Sequence, residues 1–338
     1  MNFTLVSTVF NEAARLPQTL ADLEAQSCAP AEIVVTDAGS TDGTYEALLA
    51  WRERSEVPVV VLQQPGCNVA AGRNLAIERA THDLIASTDF GCRFHPEWLC
   101  ELTAPFASPE VEVVGGTFTV RREDVDTPAA RADYLLSRGY QVQIDDHFSV
   151  SSRSIAYRKH VWEAIGGYPE WLTLAADDTI FWRQIRERGF KYVFAEQPRV
   201  YWMRHRDYRG FGKEAFRYGR GDGESGINRR MFWSHVGETG LRYALLAGLL
   251  TAPLWARRSG SKGVLLLAPT VLGLRSYRRA LRYRSELRAR GEEVTTVDLL
   301  RAFQMTEVVR TQYIKGYLRG RLKRTPSQQE GAADLEVR

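Results

Sequence analysis

The stretch Thr36-Asp37-Ala38-Gly39-Ser40-Thr41-Asp42-Gly43-Thr44 decides the fold, together with its counterpart Leu84-Ile85-Ala86-Ser87-Thr88-Asp89-Phe90-Gly91-Cys92. In each, a short apolar run stops at an aspartate followed by glycine or small residues. A buried parallel strand ending at a ligand crevice reads this way. Open α/β sheets bind ligands beyond the carboxyl ends of their strands, so Asp37 and Asp89 point to one shared site. A carboxylate there can hydrogen-bond a base or ribose, or hold a divalent cation against a diphosphate. The pair implies a nucleotide-diphosphate site.

Outward from these stretches, Leu5–Phe10, Glu32–Thr36, Val57–Gln63 and Leu84–Ser87 read as strands. Helices alternate with them: one from Asn11 with Leu16, Leu20 and Leu23 on one side, then Tyr45–Arg54 and Ala70–Ala80. This alternation predicts an α/β fold with a doubly wound, mostly parallel sheet. No G-x-G-x-x-G follows the first strand, which argues against a dinucleotide-binding domain. Val111–Val120, Ser154–Arg158, Tyr192–Ala195 and Val200–Met203 extend the strand pattern. Ala129–Tyr140 reads as a helix, Asp145–Ser152 as a loop, and Ile180–Arg188 as a helix stopped by Gly189. Gly219–Gly226, rich in Gly and Arg, predicts a mobile loop, either one able to close over a diphosphate or a surface loop without a role.

The chain has 338 residues, 44% of them hydrophobic and 25% charged, which excludes wholesale disorder. Its net charge of +4 is unevenly spread. Residues 1–240 carry 26 Lys/Arg against 33 Asp/Glu, and residues 241–324 carry 18 against 5. A basic rear of this kind suits an anionic surface, nucleic acid or membrane. Within it, Leu241–Ala256 and Gly263–Leu274 are apolar runs shorter than the ~20 residues that cross a bilayer. They predict a helical hairpin lying in a membrane interface, with a soluble helical subdomain as the alternative; the apolar hairpin favours lipid over nucleic acid. The four cysteines, Cys28, Cys67, Cys92 and Cys100, show no C-x-x-C spacing and read as reduced thiols without disulfide or zinc. The start lacks a basic segment followed by a long apolar core, so no signal peptide is read and the front domain is expected in the cytoplasm; with the basic rear, this predicts a peripheral place at the cytoplasmic face of the membrane. The resulting division is 1–225 for the α/β domain, 226–324 for the basic helical region and 325–338 for a disordered polar tail.

Four segments then carry a family resemblance. Val6-Ser7-Thr8-Val9-Phe10-Asn11-Glu12 resembles the Pro-x-Tyr-Asn-Glu strand ending of the family 2 glycosyltransferases, inverting nucleotide-sugar enzymes of the GT-A fold. Asp37–Thr44 matches their second-strand motif, Asn68–Asn74 resembles their Gly-x-x-x-Ala-Arg-Asn helix start, and Thr88–Cys92 stands where they have Asp-x-Asp. Downstream, Gly166-Gly167-Tyr168-Pro169 resembles their Gly-Gly-Phe-Asp turn and Ala176-Asp177-Asp178-Thr179 their Glu-Asp. Val200–His205 resembles their terminal strand, and Phe216–Gly221 the basic aromatic motif that follows it.

The resemblance implies roles. Asp37 would accept a hydrogen bond from the nucleotide base, with Thr8, Phe10, Glu12 and Ser40 lining the same pocket and Phe10 offering a face to the base. Arg73 would contact a phosphate as an always-charged donor. Asp89 would meet the ribose or a metal, but the second Asp of Asp-x-Asp is here Gly91. That loss implies a weakly held Mn or Mg ion, with His205 as the second ligand. Asp178 would be the general base for the acceptor hydroxyl, oriented by Asp177. The reaction implied is inverting sugar transfer from a nucleotide-diphosphate donor to a glycan or lipid-linked acceptor at an anionic membrane surface, without nucleic acid. Two rivals are a nucleotidyltransferase, which lacks support because Asn11–Arg15 is no Gly-rich basic loop, and a non-catalytic descendant of the fold, which Gly91 keeps open.

Overall fold

The structure is a computed structural model that describes residues 1–337 apart from 143, 146, 147 and 260–263; the side chains of residues 198, 245, 246, 248–250, 252–276, 334, 336 and 337 are also outside the description. The chain runs β1 (Thr4–Val9), α1 (Leu16–Glu24), β2 (Glu32–Asp37), α2 (Thr44–Arg54), β3 (Val59–Gln63), α3 (Val69–Arg79), β4 (Leu84–Ser87) and β5 (Cys92–Phe94). It continues with α4 (Trp98–Thr103), β6 (Val113–Thr119), α5 (Pro128–Leu136), β7 (Ile155–Arg158), α6 (Lys159–Ile165), α7 (Asp177–Glu187) and β8 (Tyr192–Trp202). The remainder is helical: α8 (Tyr208–Ser225), α9 (Arg229–Ser259), α10 (Val264–Ala289), α11 (Thr296–Leu322) and α12 (Pro326–Val337).

Two compact units result. The first comprises Met1–Asp124, Tyr140–Arg204 and Ala333–Arg338; the second comprises Val125–Gly139 and His205–Ala332. The first unit holds an eight-stranded sheet in the order β3-β2-β1-β4-β7-β6-β8-β5. β1, β2, β3 and β4 pair in parallel, β7 runs against both β4 and β6, β6 and β8 are parallel, and β5 runs against β8. This mostly parallel sheet has the expected fold class.

Alternation along the strands explains why both faces are covered. Leu5, Val9, Ile33 and Val35 enter one apolar cluster, with Leu16, Leu20, Trp51 and Trp98. Val6, Val34 and Ile85, in the intervening positions, enter the other with Ile77, Tyr157 and Phe181. At roughly 1.5–3 kcal/mol per large apolar side chain, the two layers dominate the stability of this unit. Their strands end at the crevice, so the core fixes where the polar loops emerge.

In the second unit α11 starts at a capping box, with Thr295 Oγ1 accepting from Asp298 N–H at 3.1 Å and the Asp298 carboxylate accepting from Thr295 N–H at 2.9 Å. The Asp298 carboxylate also takes both prongs of Arg131 on α5 at 2.9 Å each. α8 and α11 pack backbone to backbone. A Cβ at Gly219 or Gly223 would meet the carbonyl oxygens of Tyr313 and Tyr317 at 2.2 Å, and one at Gly316 or Gly320 those of Phe216 and Arg220 at 2.1 and 2.2 Å.

Three expectations are corrected here. Gly219–Gly226 is not a loop: residues through Ser225 are helical, because their glycines allow α11 to approach. Residues 326–337 form a helix rather than a disordered tail, and Leu335 packs on Leu172 and Ile180. Cys28 and Cys100 form a disulfide with Cα atoms 5.1 Å apart, although 72 positions separate them in sequence. The fold, rather than local spacing, brings them together; Cys67 and Cys92 are free thiols. The expected boundary at 225/226 falls at the end of α8, inside the helical unit. Among the described residues no helix is long and apolar enough to cross a membrane. Most side chains of Leu241–Ala256 and Gly263–Leu274, the runs read as an interfacial hairpin, lie outside the described residues.

Candidate active site

The end of β2 supplies the first element of the site. Asp37 is fully buried, and its Oδ1 accepts from Gly39 N–H and Ser40 N–H, both at 3.0 Å. Its Oδ2 is buried with no hydrogen-bond partner. Such an orphan acceptor costs about 1–3 kcal/mol unless a ligand satisfies it. Gly39 sits at φ +90°, a conformation only glycine adopts readily, so that the loop can fold back over the carboxylate. Ser40 Oγ accepts from Asn11 N–H at 2.9 Å, and Asn11 Oδ1 accepts from Thr41 N–H at 2.9 Å, which ties the β1 and β2 loops together. Phe10, beside Asn11 on the β1 loop, is 57% exposed. Thr8 lies against the start of α3, where a Cβ on Gly72 would meet its Cγ2 at 2.6 Å.

Asp89, beyond β4, belongs to a closed circuit of charges. Arg73 on α3 donates from Nη2 to Asp89 Oδ1 at 3.0 Å and from Nη1 to Asp177 Oδ2 at 2.7 Å. Asp178 follows, and its Oδ2 accepts from Ser151 Oγ at 3.0 Å. Ser151 Oγ accepts from Arg153 Nη1 at 2.8 Å, and Arg153 Nε lies 3.7 Å from Asp89 Oδ2. Arg153 also stacks 4.0 Å from the centre of the Trp202 ring, which Arg204 covers at 3.6 Å. Two guanidiniums are thus held over one indole beside Asp89.

Burial lowers the Arg73 guanidinium, but Asp177, Tyr168 and Asp89 outweigh it and hold the pKa above the ordinary arginine value. Burial pushes the Asp177 carboxyl up, against the pull of Arg73, and neighbouring Asp178 adds to the rise. Ala176, immediately before the acidic pair, has φ +74°, a strained placement for a residue with a Cβ. Asn74 braces the turn that leads there: its Oδ1 accepts from Tyr168 N–H at 2.8 Å and Trp162 Nε1–H at 2.9 Å, while its Nδ2 donates to Tyr168 O and Glu170 Oε1. The Asn68–Asn74 motif is therefore largely architectural.

Arg73, expected at a phosphate, is paired here with two carboxylates. Its side chain is only 2% exposed and both amino groups are committed to carboxylates. Arg153, near Asp89, and Arg204 are the two guanidiniums stacked on Trp202. Ser151 and Arg153 lie in a stretch read as a featureless loop and its edge; the run Ser151-Ser152-Arg153-Ser154 before β7 was the only signal for them. His205 belongs to the helical unit, 4.0 Å from the Glu214 carboxylate and edge-on to Phe211.

The donor set for a divalent cation is sparse. Asp89 offers one carboxylate, and Gly91 offers none; a Cβ on Gly91 would stand 3.7 Å from Glu12 Oε1, in ordinary contact. Burial pushes the Glu12 carboxyl up, Arg15 pulls it down, and Asp89 and Asp42 raise it further. Among the described residues no three His, Cys, Asp or Glu are gathered to hold a metal. Asp89 fits a cation as its single carboxylate, with the remaining positions left to oxygens the ion brings with it.

Residues 4–165, which include β1–β4, the circuit's Asp89, Arg73 and Arg153, and the Asp37 loop, match the family described as Glycosyl transferase family 2. This region belongs to glycosyltransferase family 2. The chain is a nucleotide-sugar-dependent glycosyltransferase of the GT-A fold. Glycosyltransferase AglE of Haloferax volcanii is 24% identical over 223 residues, covering 64% of this chain and 72% of that protein. The O-antigen chain rhamnosyltransferase RfbN of Salmonella typhimurium is 21% identical over 268 residues, 69% of this chain and 84% of its own. Among solved structures, the mannosyltransferase PcManGT from Pyrobaculum calidifontis, in complex with GDP-Man and Mn2+, superposes with a TM-score of 0.53. It is 18% identical, with 94% of this chain and 86% of that one covered, a likeness of fold.

Proposed function

We propose that this glycosyltransferase inverts the anomeric centre, using Asp178 as general base to move a sugar from a nucleoside diphosphate to a glycan or lipid-linked acceptor. The observation that carries the reading is the circuit Asp89–Arg73–Asp177/Asp178–Ser151–Arg153, which joins a strand-end carboxylate, a cation and a half-buried carboxylate at one crevice. The base docks between the exposed Phe10 ring and Thr8, with its ring N–H donating to Asp37 Oδ2. Glu12 and Ser40 line the same loops. Asp89 takes the ribose hydroxyls, and the diphosphate lies toward Arg153 and Arg204.

The acceptor oxygen attacks the anomeric carbon opposite the diphosphate, and its proton passes to Asp178. The C–O bond to the diphosphate breaks with its electron pair leaving on phosphate oxygen, where the guanidiniums stacked on Trp202 meet the charge. Asp177 and Arg73 position Asp178 from behind. A divalent cation, held weakly by Asp89, would spread the diphosphate charge further; the expectation of His205 as its second ligand rests on its motif alone. The Mn2+ of the mannosyltransferase structure supports a cation arriving with its donor. Rhamnosyltransferases of O-antigen chains among the relatives support a cell-envelope glycan acceptor, and the basic helical region supports work at the cytoplasmic face of a membrane. A screen of nucleotide sugars for binding and turnover, with and without Mn2+, followed by NMR of the product's anomeric proton, tests this. Inverted configuration from one preferred donor is expected; retained configuration would overturn the base assignment.

A further inference from the structure

The helical unit contains a cavity of about 470 Å³ whose lining includes His235 and Glu238 of α9, Arg278, Arg279 and Arg282 of α10, and Arg310 of α11. Four guanidiniums thus face one carboxylate. That carboxylate is occupied, since Glu238 pairs with Arg310 at 2.5 Å, and Arg282 is held by Glu286 at 2.9 Å. Arg278 and Arg279 have no carboxylate partner among the described residues and stand exposed at the mouth. At the inner wall Arg310 is only 13% exposed, and His235 Nδ1 is buried with no hydrogen-bond partner. Burial and the charges of Arg310, Arg279 and Arg242 push the His235 imidazole down to about 4, so it stays neutral and its ring nitrogens bond without adding charge. Uncompensated cations around a roomy, partly desolvated hollow are stable chiefly when an anion enters.

From this geometry we infer that the cavity is a binding site for a phosphomonoester or diphosphate group, distinct from the donor nucleotide. Two prongs from Arg279 and Arg278 match tetrahedral phosphate oxygens, and Arg310 closes the inner side. The sequence of α9 and α10 also carries mainly apolar runs at 245–256 and 264–274, a composition that suits a lipid headgroup as bearer; a soluble phosphate shares the same chemistry.

The experiment follows the His235 imidazole by NMR in the full chain while pyrophosphate is added, then repeats sedimentation with vesicles containing phosphatidic acid or, at equal surface charge, phosphatidylglycerol. Saturable pyrophosphate binding that raises the His235 pKa is expected. Arg278→Ala/Arg279→Ala should weaken it at least tenfold, while Arg321→Ala/Lys323→Ala, which removes equal charge elsewhere on the unit, should not. Preference for phosphatidic acid identifies a lipid bearer, and equal binding to both vesicles identifies a soluble phosphate. No movement of His235, or equal loss in both double variants, overturns the site. Donor nucleotide affinity, measured in parallel, should be unchanged in both, so failure here is separable from failure of the catalytic reading.

Discussion

Asp37 presents a buried acceptor that nothing in the protein satisfies, and this makes it the most exacting residue of the donor pocket. In Asp37→Asn the amide oxygen must keep the bonds to Gly39 and Ser40, which turns the NH2 group toward the vacant side. A donor would then face the base N–H. Nucleotide-sugar affinity should fall by about 2–3 kcal/mol, with the melting temperature nearly unchanged, as read by calorimetry on donor and protein. Glu12 behaves differently. Its carboxyl, pushed above the ordinary value of 4.5 chiefly by burial, binds its proton more tightly folded than unfolded. Stability from this group is present at acid pH and is lost as pH rises through the raised value. Glu12→Gln should therefore raise the melting temperature at neutral pH, with the gain vanishing below the ordinary carboxyl range; a series of thermal melts checks it. Such stabilisation at a binding site commonly costs activity.

At the scale of elements, the α8–α11 pair is the most demanding contact in the helical unit. Ala is the better helix former by about 1 kcal/mol, yet a Cβ at Gly316 would lie 2.1 Å from the Phe216 carbonyl oxygen. Gly316→Ala should destabilise by about 1–3 kcal/mol in denaturant melts. Gly240→Ala, on α9 with nothing within 4 Å of the added Cβ, should stabilise by about 0.5–1 kcal/mol. The opposite signs would separate packing from propensity. The sheet was legible in sequence because alternation and strand-end aspartates are local signals; Leu84–Ser87 agrees at both ends. The three-residue β5, α4 and α6 are too short to show a period. Tyr192–Trp202 reads as two strands in sequence because Glu196–Arg199 breaks the apolar run, yet pairing with β6 carries one strand through it. α8 was misread because glycine marks loops locally, whereas here it serves a neighbour nearly a hundred residues away. The Cys28–Cys100 bond and the Arg153 contacts were hidden for the same reason: each exists only once distant segments are assembled.

The whole molecule joins a sheet-based catalytic unit to a helical unit with a strongly basic sequence. Residues 241–324 carry 18 Lys/Arg against 5 Asp/Glu, worth about 1 kcal/mol for each basic side chain that reaches an acidic bilayer. Charge alone fades with salt, and inserted apolar surface does not. The protein should sediment with anionic vesicles, keep part of that binding at high salt and come off in detergent; remaining in the supernatant at low salt would remove the membrane claim. The central claim is that one carboxylate, Asp178, takes the acceptor's proton within a site whose donor contacts lie elsewhere. The direct test measures donor affinity and turnover side by side in Asp178→Asn. Unchanged donor affinity with transfer almost abolished is expected; turnover within about tenfold of the native enzyme, roughly 1.4 kcal/mol of barrier, would mean that Asp178 is not the base.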